Sequence, residues 1–262
     1  MGLYLWDQTL TKPLSITFLR TSMLLIEYDG YHALTDPWFG MNMRGLPVFR
    51  KPGIALSDIP HLTAIIASHL HRDHFDRSAV AELAHPALEI AGTCGTAAFC
   101  SELSVGKVHD MAPWDEVVIG PFKLTATPAE HTGPPPPEVN FMIECGPWRI
   151  FFGGDAKWSS AYEQIGNRFD HIDVALLPIG GTLIFGHRTT MGPDDAVKAC
   201  NYLRPRYVIP IHEGGEWLPV PPASWHPGRN KHFVAQLEDS GLPCEARVLK
   251  PGQVSTFTEI VR

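Results

Sequence analysis

Apolar residues grouped at strand-like spacing appear first at residues 16–19, 23–28 and 31–34, and they predict three strands. Asp29-Gly30 lies between the last two, a pair that tight hairpin turns favour, so this third of the chain reads as an antiparallel meander. Residues 36–60 break the pattern with Pro37, Gly40, Gly45, Pro47, Pro52 and Gly53. A loop this long inside a folded unit is usually functional. After it, Thr63-Ala64-Ile65-Ile66-Ala67 is almost continuously apolar, as befits a strand covered on both faces.

From there helices alternate with strands. Helices are predicted at residues 77–84, 96–103, 160–167 and 193–203, and strands at 88–91, 116–119, 123–127, 141–145, 149–152, 174–177 and 207–210. Pro193 opens the last helix, where its missing N–H costs nothing. The expected architecture is α/β, with mixed sheets and helices packed outside them. No repeat, low-complexity tract or linker divides the chain, and Pro134 to Pro137 reads as a stiff surface segment between strands of one sheet system. Residues 1–262 are therefore expected to form a single domain.

Composition narrows the possible partners. With 21 basic and 28 acidic residues the net charge is −7, and 44% of residues are hydrophobic. That balance excludes a disordered chain, and the lack of a basic block argues against nucleic acid as the partner. Five cysteines without a C-x-x-C pair read as reduced thiols, and the first residues lack a signal-peptide pattern, with Trp6 where a myristoylation motif needs Ser or Thr. The longest apolar stretch, 174–186, is too short to span a bilayer and is broken by Pro178 and Gly180-Gly181. The expectation is a cytoplasmic protein with no integral membrane segment, acting on a small molecule, with a homo-oligomer left open although no segment demonstrates an interface.

Thirteen histidines change the picture. Ser68-His69-Leu70-His71-Arg72-Asp73-His74 contains H-x-H-x-D-H directly after the buried strand at 63–67. Side chains two apart on an extended stretch point the same way, so His69 and His71 present two imidazoles to one cation. As the chain turns toward the next helix, Asp73 and His74 can face a second one. Further ligands are offered just past later strands: His131 in P-A-E-H-T-G, Asp155 in G-G-D-A and His212 in P-I-H. Imidazole and carboxylate together suit zinc, manganese or iron.

In this order, H-x-H-x-D-H, a lone His, G-D and a final His, the chain resembles the metallo-β-lactamase fold superfamily over residues 68–212. The resemblance implies a four-layer αβ/βα sandwich with a binuclear centre along one edge of the sheets. It implies one cation on His69, His71 and His131 and another on Asp73, His74 and His212, with Asp155 bridging them. Leu34-Thr35-Asp36-Pro37-Trp38-Phe39, Leu177-Pro178-Ile179-Gly180-Gly181, Thr190-Met191-Gly192-Pro193 and Pro210-Ile211-His212 are similar to the metal-dependent hydrolase branch. That branch includes ascorbate-phosphate lactonases and, more distantly, N-acyl-phosphatidylethanolamine phospholipases D.

The function expected from this is hydrolysis of an ester, lactone or phosphodiester by a hydroxide shared between two divalent cations, zinc ranking ahead of manganese and iron. Asp73 is the expected catalytic residue, holding a cation and orienting the hydroxide or taking its proton. The rival expectation is a non-catalytic, metal-stabilised scaffold or ligand sensor. Asp36 reads either as a turn former before Pro37 or as a carboxylate orienting a ligand imidazole. His187 is a candidate proton donor or substrate contact. His226 and His232 are expected to be solvated, and Lys157 and Arg188 either to be solvated, which ranks first, or to bind a phosphate or carboxylate. Trp38, Phe39, Met41, Met43, Trp217 and Trp225 are expected either to cover the sheet edges or to line an apolar substrate channel.

Overall fold

In the computed structural model, which describes residues 12–43, 45–132, 137–216, 220 and 223–258, the chain builds two seven-stranded sheets face to face. The readings made above for Trp6, for Pro134 to Pro136 and for Trp217 lie outside the described residues. In chain order the first half comprises β1 (Leu14–Arg20), β2 (Met23–Tyr28), β3 (Tyr31–Thr35), a small hairpin of β4 (Asn42–Met43) and β5 (Leu46–Pro47), β6 (Ala64–Ala67), α1 (Arg77–Leu83), β7 (Glu89–Thr93), α2 (Thr96–Phe99) and β8 (Lys107–Met111). The second half comprises β9 (Glu116–Ile119), β10 (Phe122–Pro128), β11 (Val139–Cys145), β12 (Trp148–Phe152), α3 (Ala161–Arg168), β13 (Ile172–Pro178), a hairpin of β14 (Leu183–Ile184) and β15 (His187–Arg188), α4 (Pro193–Leu203), β16 (Pro205–Ile211), α5 (Asn230–Ser240), β17 (Glu245–Ala246) and β18 (Val254–Phe257).

One sheet runs β18-β1-β2-β3-β6-β7-β8 and the other β17-β16-β13-β12-β11-β10-β9. The period-two alternation of β2 explains how a strand serves two layers: Leu24, Ile26 and Tyr28 enter the core between the sheets, while Met23 and Leu25 pack outward. The inter-sheet core also holds Ile16, Phe122, Phe141, Trp148, Phe152 and Ile209. Behind the second sheet, α3 (Tyr162, Ile165), α4 (Ala196, Ala199, Leu203) and α5 (Phe233, Leu237) bury a second cluster, and Val80 of α1 joins a third behind the first sheet. The result is the expected four-layer αβ/βα sandwich. No helix among the described residues is long and apolar enough to cross a membrane.

Local chemistry places the elements. Asp76 caps α1, its carboxylate accepting from the backbone N–H groups of Ser78 and Ala79. The β2–β3 turn at Asp29-Gly30 takes positive φ at both residues. The helix expected over 96–103 ends at Phe99, because the chain turns there to bring Gly106 N–H onto Leu88 O and start β8 beside β7. Strand β8 and the C-terminal elements α5, β17 and β18 have no counterpart in the sequence expectations. β8 and β18 lie at the edges of their sheet and expose alternate or most positions, so neither presents a continuous apolar run.

Candidate metal centre

The C-terminal ends of β3, β6, β12, β13 and β16, parallel neighbours within their sheets, open onto one edge of the sandwich together with the exit of β10. Polar residues at this edge need no strand partner, so it is where a site is affordable. β6 delivers Ser68 and His69, β10 leads to His131, β12 runs through Gly153-Gly154 to Asp155, and β16 leads to His212. His212 and Asp36 both hold non-glycine backbones at positive φ (49° and 35°). Each is pinned by a backbone bond, His212 N–H to Thr21 O at 2.9 Å and Asp36 N–H to Ile66 O at 2.9 Å. Such conformations persist only where the surroundings enforce them, and they concentrate at functional sites.

Two triads of donor atoms, each within 4.8 Å of one another, result. In the first, His71 Nδ1 stands 2.9 Å from His69 Nε2 and 3.3 Å from His131 Nε2. A tetrahedral ion with Zn–N bonds of about 2.0–2.1 Å separates its ligand nitrogens by roughly 3.4 Å, so three imidazoles meeting nose to nose at this spacing fit such an ion. The second triad is Asp73, His74 and His212. Asp155 stands between the two, with one carboxylate oxygen 3.9 Å from both His74 Nε2 and His131 Nδ1, and the other 3.5 Å from His212 Nε2. His74 Nε2 and both ring nitrogens of His212 are buried and make no hydrogen bond. Buried polar atoms without partners are costly, and His74 Nε2 and His212 stand together in a triad that could hold a cation.

A third combination, Asp36 with His69 and His74, also meets the distance criterion. Its carboxylate is already committed: it accepts from Ser68 N–H (2.7 Å), Ser68 Oγ–H (2.7 Å) and His74 Nδ1–H (2.6 Å), and it is wholly buried. Asp36 therefore orients His74, turning Nε2 toward the second triad. The sequence reading missed Glu138, which follows the proline run and is 4% exposed. Its Oε1 accepts from Asp155 N–H at 2.7 Å, and Oε2 lies 3.3 Å from His131 Nδ1, whose N–H is directed at the Asp155 carbonyl. Gly154 makes this approach possible: at φ 51° a Cβ there would meet Glu138 Oε1 and lie 2.7 Å from Ser68 Cβ.

Charge is concentrated to match. Burial, reinforced by neighbouring imidazoles, holds His69 well below the usual histidine range, and burial likewise lowers His71 and His131. Neutral imidazoles are the ligating form. His74 is the exception: burial opposes its charge, yet Asp36, Asp73 and Asp155 together raise it to about 10. Burial and the nearby Asp155 charge push Glu138 well upward. A proton on His74 thus balances carboxylates that a cation would otherwise neutralise.

A cleft of about 360 Å³ opens above these residues, lined by His71, Asp73, His131, Asp155, His212 and by Met43, Leu46, Ile184 and Phe185. His226 corrects the expectation of solvation: it is 5% exposed, bonds Thr182 Oγ through Nδ1 (2.9 Å) and lines the cleft. Gly214 packs against its Cβ, which draws it inward. His187 is exposed on β15 and does not line the cleft. Trp38 is 2% exposed beneath the stacked guanidinium of buried Arg20, whereas Met43 lines the cleft. Arg20 also donates to the Trp38, Gly40 and Arg50 carbonyls and so organises the loop that carries β4 and β5. Lys157 and Arg188 are tied into ion pairs, with Glu130 and with Asp194 and Asp195.

Fold and donor set together define the class. Residues 31–212 match the β-lactamase superfamily domain, and the chain belongs to that superfamily, in its metallo-β-lactamase fold and among its metal-dependent hydrolases. It is 30% identical to a UPF0173 metal-dependent hydrolase of Desulforamulus reducens, over 92% of this chain and 98% of the relative. A UPF0173 metal-dependent hydrolase of Methanopyrus kandleri is 26% identical over 91% of this chain and 97% of its own length. Among solved structures, Igni18, a metallo hydrolase from Ignicoccus hospitalis, superposes with a TM-score of 0.74 at 21% identity, covering 94% of this chain and 98% of its own.

Proposed function

We propose that the chain hydrolyses an ester, lactone or phosphodiester of a small molecule at a binuclear centre, with one divalent cation held by His69, His71 and His131, a second by Asp73, His74 and His212, and Asp155 shared. The observation that carries this reading is the convergence of two donor triads, one of three imidazoles meeting nose to nose and the other holding His74 Nε2 and the His212 ring nitrogens, which are buried and make no hydrogen bond. Cations bound there would supply Lewis acidity, which acidifies water and polarises the substrate's carbonyl or phosphoryl group. Zinc suits this imidazole-rich set, and manganese or iron would be accepted by it.

The chain's own residues divide the remaining work. Asp73, with 21% of its side chain open to the cleft, orients the attacking water and takes its proton at the carboxylate. Asp36 fixes the His74 tautomer from behind, and Glu138 holds the backbone of Asp155, so the open side of the site stays rigid. His226, buried with Nδ1 engaged by Thr182, lines the cleft as a neutral imidazole, because burial lowers its pKa to about 4.

Elemental analysis of protein purified without added metal or chelator tests the assignment, with close to two divalent cations per chain expected. Asp73→Ala should abolish turnover across a panel of esters, lactones and phosphodiesters while partly sparing the His69/His71/His131 site. An Asp73→Ala protein with full activity would refute the role of Asp73. Persistent absence of metal after reconstitution would move the scaffold or sensor reading to the front.

A further inference from the structure

The cleft is chemically lopsided. Its floor is the donor set, but one wall is made by the tips of two hairpins: Met43 and Leu46 from β4 and β5, Ile184 and Phe185 from β14 and its turn. Three of these four side chains stand in water, with Leu46 40%, Ile184 43% and Phe185 70% exposed. Arg72, at the rim, is the one Lys or Arg among the described lining residues.

The turn that carries Phe185 sharpens the point. Leu183 pairs with Arg188 and Ile184 with His187, which leaves Phe185-Gly186 as a two-residue loop with φ of 48° and 82°. Loops of this kind need positive φ at both positions and favour Asn or Asp before Gly, because a bulky Cβ there crowds the backbone. The β2–β3 turn of this same chain follows that preference with Asp29-Gly30 at 54° and 78°. At the cleft rim the chain instead places a large aromatic in a strained conformation and leaves it exposed, which costs the free protein twice. The hairpin is also firmly rooted: Leu183 and Trp225 exchange backbone hydrogen bonds of 2.7 and 2.9 Å, tying it to the segment that bears His226.

We infer that Phe185, with Ile184, Leu46 and Met43, forms an acyl-chain subsite, so that the substrate carries an uncharged aliphatic acyl group beside the bond to be cleaved. A cleft of about 360 Å³ is near the small end of ligand pockets, which suits a chain of medium length. The inference rests on the metal-centre reading above, and its test separates the two.

Zinc-reconstituted protein is titrated calorimetrically with acetohydroxamate and octanohydroxamate, whose shared head group ligates divalent cations and which differ by six methylenes. Octanohydroxamate should bind about tenfold tighter or more, since full burial of two of those methylenes already reaches that ratio. Phe185→Asn should cut the ratio at least about threefold without lowering Tm, because Asn tolerates this turn better than Phe. Phe185→Leu, which restores an apolar side chain, should keep most of the ratio. Ile184→Thr, on the strand flank, should lower it too and decides the matter if the turn variant fails to fold. Equal affinities for the two probes, or a ratio unchanged in both Phe185→Asn and Ile184→Thr, would overturn the subsite alone. Failure of both probes to bind wild-type protein would overturn the metal-centre reading and this inference with it.

Discussion

Replacing Asp36 by Asn tests how much of the metal centre depends on a residue that never faces the cleft. The carboxylate accepts three hydrogen bonds at 2.6–2.7 Å while fully buried. Asn keeps the shape, and its amide oxygen can still accept from Ser68 N–H. Its NH2 group then confronts His74 Nδ1–H, donor against donor, so the charge-assisted bond is lost and His74 no longer presents Nε2 in a fixed tautomer. Losing one such bond costs about 1.5–3 kcal/mol, which corresponds to a fall in Tm of roughly 3–12 °C for a chain of this size. Affinity for the cation proposed at Asp73, His74 and His212 should fall by about 10–100-fold, as is usual when an outer partner of a ligand is removed. Calorimetric unfolding measures the first quantity, and competition with a fluorescent chelator measures the second. A loaded Asp36→Asn protein that keeps both the wild-type Tm and the wild-type resistance to chelator would refute the idea that Asp36 orients His74.

Two further outcomes follow from the same geometry. Gly154→Ala should destabilise the protein by about 2–4 kcal/mol, combining overpacking against Ser68 and Glu138 with a strained positive φ; thermal unfolding at an unchanged Tm would count against the described packing. For chelator-stripped protein, His69, His71, His131 and His226 all have folded pKa values lowered by burial, so each binds fewer protons in the native state than in the unfolded one, whereas His74 and Glu138 bind more. The contribution of these four histidines should therefore fall as pH drops below the ordinary histidine value of about 6.5, with the His226 share of the loss complete below about 4. His226→Gln should flatten that part of a Tm-against-pH curve, and a slope identical to wild type would contradict the buried placement of His226.

Much of this architecture is visible in residue order because it depends on short-range periodicity. The Thr63 to Ala67 run is nearly all apolar because β6 is covered on both faces, and Asp29-Gly30 marks its turn through backbone preference alone. His69 and His71 share a side because alternation places residues two apart together as an extended stretch leaves its strand. The elements that escaped notice have weak periodicity: β8 and β18 are edge strands with exposed positions. α5 buries little more than Phe233 and Leu237.

The partners of the donor set obey a different logic. Asp36 and Ser68 are 32 positions apart, and Glu138 meets Asp155 across 17, so no local pattern announces either pair. His226 and His187 look alike as isolated histidines in irregular segments, yet packing against Gly214 and Thr182 buries the first while a hairpin leaves the second in water. The sequence by itself determined the strands with a clear apolar pattern and which residues could ligate a cation, since both follow from backbone geometry and side-chain chemistry over a few positions. The tertiary structure alone decided which carboxylates and imidazoles lose their water, because desolvation depends on what distant segments bring to the same point, and with it the charge, orientation and reach of every group at the site.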